Sequence, residues 1–136
     1  MDLRQINEEY AKIGRELIET EEALVDIANS QATIIYLSSE HKKVASGKAI
    51  LGQCEKVADK YKWGIPCDFT ITVFETNIEG MSQDQIRMLI FHELLHVGIE
   101  FGADGSESYS VKPHDLEDVK LIIDRYGTDW SKVDAD

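Results

Sequence analysis

Residues 81–101 read MSQDQIRMLIFHELLHVGIEF, and the rest of the molecule follows from how this stretch folds. Ser82 with Gln85 three positions on has the pattern of a capping box, and Asp84 falls in the first turn, where the helix dipole favours an anion. Gly102 is placed to stop the helix. Ile86, Leu89, Ile90, Leu94, Val97 and Phe101 share one face, while Met88, Phe91, Leu95 and Ile99 make the other side apolar too. A helix apolar nearly all round is a buried one, so the pattern predicts a single buried helix over 81–101.

Within it stands His92-Glu93-Leu94-Leu95-His96. Two histidines four apart lie on one helical face about a turn from each other, so both imidazoles can reach one metal ion. Glu93 emerges between them, where a carboxylate can act on a metal-bound water. This HExxH spacing points to zinc. Burying such a polar trio in an apolar helix costs several kcal/mol unless each member is satisfied, and a metal satisfies them.

A catalytic zinc site takes a third protein ligand and keeps a fourth position open. Ile99 and Gly102 stand where the metzincin pattern requires a glycine and a histidine, which excludes that subclass. His114, 18 residues after His96 in the run PHDLED, is the expected third ligand. Glu117, 21 residues after His96, and Asp118 are its competitors. Asp115 and Asp118 also suit the carboxylate that accepts a bound imidazole's other N–H, or a helix cap. His41, beside two lysines, reads as a solvated residue. Tyr109, Tyr126 and Arg125 are oxyanion-donor candidates that sequence does not rank.

Outward from the helix, residues 31–38, 48–57 and 67–75 have the β-branched and aromatic content of three strands. Leu3, Ile6, Tyr10, Ile13, Leu17, Leu24 and Ile27 alternate at spacings of three and four, with Thr20 the lapse, and predict an N-terminal amphipathic helix over 1–29. That seam fits a coiled-coil face or a helix lying across a sheet. GADGSESYS reads as a loop, and a last helix is expected from about Asp115 to Tyr126. The class is α+β: a single domain over 1–136, with the N-terminal helix over 1–29 and a core over 30–131.

The chain has 136 residues, of which 43% are hydrophobic and 29% charged, enough for one folded core. Fourteen Lys and Arg against 26 Asp and Glu give a formal −12, which argues against nucleic acid or an anionic membrane as a direct partner. Near a zinc ion the acidic balance also biases towards basic or extended polypeptide substrates. No apolar run reaches the roughly 18 to 20 residues of a spanning helix, and the charged N-terminus lacks a signal-peptide core, so a cytoplasmic location is expected. Cys54 and Cys67, without CxxC spacing, read as reduced packing residues.

The runs KYKWGIPCDFTITVF, MSQDQIRMLIFHELLHVGIEF and VKPHDLEDVKLIIDRYGTDW resemble the putative phage metallopeptidase family. The resemblance covers about residues 30–131 and rests mainly on HELLHVG and PHDLED. It implies metal ligands at His92 and His96, a catalytic Glu93, and His114 as the natural third ligand. More distantly, the arrangement of three strands, active-site helix and following helix is similar to the minimal zincin domain of SprT-like metallopeptidases. That similarity implies substrate pairing along an edge strand, for which 48–57 is the candidate. The function expected is zinc-dependent peptide-bond hydrolysis of a polypeptide substrate, in the host cytoplasm if phage-encoded. The alternative is a non-catalytic, zinc-stabilised binding protein, and the N-terminal helix could serve a homodimer or a partner helix.

Overall fold

The computed structural model describes residues 3–113, so the helix expected over 115–126, and with it His114, Glu117 and Asp118, lies outside the described residues. The chain opens with a short strand, β1 (Arg4–Ile6), followed by α1 (Glu8–Thr20) and α2 (Val25–Ala28). Then come β2 (Ile34–Ser39), a small hairpin of β3 (Val44–Ala45) and β4 (Lys48–Ala49), β5 (Gly52–Lys56) and β6 (Phe69–Phe74). After α3 (Gln83–Leu94), a second hairpin pairs β7 (Val97–Phe101) with β8 (Glu107–Val111). The class is α+β, as expected.

The main sheet has four strands in the order β1-β2-β6-β5, one more than the three expected. β2 and β6 run parallel, with Tyr36 opposite Ile71, and the two outer pairings are antiparallel. The fourth strand comes from residues counted into the N-terminal helix. Asn7 ends that strand and caps α1, its side chain accepting the Tyr10 N–H at 3.1 Å. Glu8 and Glu9 fill the first turn, where the dipole favours them. Leu3 and Ile6, read as part of the seam, are exposed.

The seam proper lies across the sheet. Tyr10, Leu17, Leu24 and Ile27 are buried with Tyr36 of β2 and Phe69, Ile71 and Val73 of β6. Met88, Leu89, Ile90, Phe91 and Leu94 of α3 close the same core. The chain between Thr20 and Val25 passes through Glu21, extended at φ −96°, and a 3-10 turn, so the expected long helix is two helices.

Residues 81–101 do not form the single helix expected. The Ser82/Gln85 capping box forms as expected, with bonds of 3.2 and 2.8 Å. The helix stops at Leu94, however, with Leu95 as its cap, and Val97–Phe101 is a strand. The stretch read as the loop GADGSESYS supplies β8, whose Ser110 and Tyr109 face Gly98 and Ile99 across the hairpin. Both cysteines are free thiols. Among the described residues no helix is long and apolar enough to cross a membrane.

Candidate active site

His92 lies in the last turn of α3, and His96 lies just beyond its end. The early stop does not separate them. The Leu95 N–H still bonds to Phe91 O at 3.0 Å and the His96 N–H to Glu93 O at 3.1 Å, a tightened last turn that keeps both imidazoles on one side. Their ring centroids are 5.4 Å apart, with the planes tilted by 49°.

The second hairpin fixes His96 from outside the helix. Its Nδ1 is 2.6 Å from Lys112 O, and its own carbonyl accepts the Lys112 N–H at 2.6 Å. A carbonyl oxygen can only accept, so Nδ1 carries a proton, and in the neutral imidazole Nε2 is then the nitrogen with a lone pair. Metal-binding histidines show the same arrangement, in which a carbonyl or carboxylate sets the tautomer and orientation of the ring.

Glu93 is only 6% exposed. Burial pushes its carboxyl up to about 7. β5 lies across it. A Cβ built on Gly52 would stand 3.2 Å from Glu93 Cγ and 3.3 Å from both Glu93 Oε2 and Leu89 Cδ1, so the bare backbone of residue 52 leaves the carboxylate its space. Cys54, two residues on, borders the same cleft, and burial together with the nearby Glu93 carboxylate pushes its thiol up to about 12. Without a metal it is a neutral thiol at physiological pH.

These groups line a cleft of about 440 Å³ between β5, α3 and the end of β8. Leu51, Leu89 and Val111 make its apolar walls, with His92, Glu93 and His96 set into it. Three of the residues picked out by spacing thus meet at one cleft, while His114, Glu117 and Asp118 lie outside the described residues. Among the described residues no three His, Cys, Asp or Glu side chains form a metal-binding group. His92 and His96 fit two of the positions of a zinc site in donor type, spacing and, for His96, tautomer. His41 is exposed and lies at a different cleft, lined also by Glu40 and Glu75.

Sequence reasoning missed Gly52 and Cys54 as neighbours of the site. Gly52 carried the signal of an isolated glycine inside a strand pattern, which often marks close approach of another group.

The family model for putative phage metallopeptidase matches residues 4–135. The chain belongs to that family. No curated protein and no solved structure matches it. Membership in a metallopeptidase family agrees with a cleft that presents two imidazoles and a buried carboxylate. The matched span also takes in β1, at the far edge of the main sheet, and α1, which packs in the core.

Proposed function

We propose that the protein is a zinc-dependent peptidase built on one zincin-like domain, with His92, His96 and His114 as metal ligands and Glu93 as general base. The observation that carries this reading is Glu93 buried beside two histidines whose rings share one open cleft. His114 follows Lys112, whose carbonyl holds His96, by two positions in sequence, and Glu117 and Asp118 are its competitors further along the chain.

A zinc ion held by these residues would supply Lewis acidity to the attacking water and the scissile carbonyl. The Glu93 carboxylate takes a proton as the water attacks and delivers it to the leaving nitrogen as the C–N bond breaks. His96 keeps its proton on Nδ1 against Lys112 O throughout, which holds the ring in place. Leu51, Leu89 and Val111 limit water around the carboxylate and give the cleft an affinity for extended chain with apolar side groups. β5 offers the strand edge alongside.

Purified protein is expected to hold about one zinc per chain, lost in His92→Ala and His96→Ala and kept in Glu93→Gln. Glu93→Gln should lower the rate of peptide cleavage by about 10²- to 10⁴-fold. Metal analysis that finds no zinc in protein prepared without chelator overturns the reading. Zinc affinity unchanged in His114→Ala but lowered in Glu117→Ala moves the third ligand. Full zinc without Glu93-dependent cleavage of a broad peptide library favours a zinc-stabilised binding protein.

A further inference from the structure

The loop between β5 and β6 carries three large apolar side chains turned to solvent. Trp63 is 90% exposed, Tyr61 51% and Ile65 44%. Single exposed apolar residues need no explanation, but three within five positions form a patch of the kind used for binding. The loop is also held in shape. Val57 and Cys67 are buried at its two ends, and Val57 N–H bonds to Asp68 O at 2.9 Å. Inside it, Gly64 and Ile65 N–H both bond to Tyr61 O, and Lys62 Nζ bonds to Asp68 Oδ1 at 2.9 Å. A rigid loop presents its aromatics at little entropic cost on binding.

Its charge opposes that of the molecule. In a chain of formal −12, Lys56, Lys60 and Lys62 fall close together in sequence with Asp59 the one acid between them, and Lys62 is paired with Asp59 and Asp68. Lys56 and Lys60 are exposed, and Lys60 Nζ lies 5.1 Å from the Tyr61 ring centroid. Position adds the third element. β5 passes Glu93 at Gly52 and leads into the loop after Lys56, about 13 Å further along the strand. A polypeptide that followed β5 from the cleft past Lys56 would reach the loop about four to six residues from the scissile bond.

We infer that the loop over residues 58–66 is a second substrate-binding surface, continuous with the catalytic cleft, that takes an acidic and apolar segment of an extended polypeptide. This rests on the peptidase reading for its location and adds a site that the metal centre does not need. Trp63 and Tyr61 supply apolar contact, and Lys56 and Lys60 select for acid. Specificity then comes from a segment remote from the bond that is cut.

The test uses the full-length, zinc-loaded Glu93→Gln protein and fluorescein-labelled β-casein, an unfolded acidic polypeptide, with binding read by anisotropy. Trp63→Ser and Tyr61→Ser are each expected to weaken binding about tenfold with the melting temperature unchanged. Lys56→Glu combined with Lys60→Glu should weaken it about threefold and flatten its salt dependence. Val25→Ser, at an exposed apolar residue elsewhere, should bind like the parent. Parent-like affinity in Trp63→Ser overturns the inference. So does binding to phosphatidylserine-containing vesicles that needs Trp63 when casein binding does not, which assigns the loop to a lipid surface. The two readings fail separately: wild-type cleavage with Trp63-independent casein binding refutes the loop alone, whereas Trp63-dependent binding by a protein that never cleaves refutes the peptidase and leaves the loop.

Discussion

Gly52 is where a missing side chain bears directly on the site. The backbone there fits over the Glu93 carboxylate so closely that a methyl group would arrive at 3.2 to 3.3 Å from two of its atoms and from Leu89. Leu89 is buried in the core, so the more movable neighbour is the end of Glu93. Gly52→Ala should therefore shift the carboxylate by a few tenths of an ångström while leaving both histidines alone. Proton transfer is steeply sensitive to geometry, and a loss of about 10- to 100-fold in kcat is expected with zinc content unchanged. Steady-state kinetics beside metal analysis checks it, and parent-like kcat would show that the carboxylate has slack.

At the scale of elements, α1 and β2 meet more closely still, at Gly14. A Cβ on Gly14 would run into the Tyr36 hydroxyl and ring, and Tyr36 is buried. Alanine would raise helix propensity by about 1 kcal/mol, but overpacking against a fixed ring costs about 1 to 3 kcal/mol or more, so Gly14→Ala should destabilise on balance. The Tyr36 hydroxyl is buried and, among the described residues, finds no hydrogen-bond partner. Tyr36→Phe should hence be neutral or stabilising by up to about 1 kcal/mol, and it should recover part of the Gly14→Ala loss in the double variant. Denaturant melts of the four proteins decide this. A large loss in Tyr36→Phe alone would mean that the hydroxyl has a partner beyond the described residues.

The same scale shows what the sequence made legible. The Ser82/Gln85 cap and the strand character of 67–75 are local signals that correspond to α3 and β6, and the His92 to His96 spacing is carried past the helix end by a tightened turn. The end of α3 was hidden because Val97, Gly98 and Ile99, all buried, continue the apolar run that marks a buried helix. Only the β-branched pair and the Gly102 to Gly105 turn that follows hint at a hairpin. β1 was hidden for the opposite reason. It is three residues long, and its pairing with β2 more than 30 residues away leaves no periodicity to read. The position of Gly52 over Glu93 is a tertiary fact of the same sort, set by β5 crossing α3.

For the molecule as a whole, net charge and local charge pull in different directions. Lowering the pH relieves the repulsion of a −12 chain, yet it removes the carboxylates that tie segments together. Asp68 is the clearest of these ties. Its Oδ2 accepts the Thr33 N–H at 2.8 Å and the Thr33 hydroxyl at 3.1 Å, and its Oδ1 accepts Lys62 Nζ at 2.9 Å, joining the start of β2 to the aromatic loop. Desolvation pushes this carboxyl up, but the Lys62 ammonium and the Thr33 donors together outweigh it and hold the group below the usual carboxylate range. A depressed folded pKa gives stability that is present above the unfolded value of about 3.9 and is lost as pH falls through the folded one. Asp68→Asn should thus lower the melting temperature by about 3 to 5 °C at pH 7, and the gap from wild type should close as pH drops below about 4. Because both proteins share the rest of the acidic surface, their difference isolates this one tie from the general relief of repulsion. A gap that persists unchanged into strong acid would show that the amide variant fails through packing and not through loss of charge.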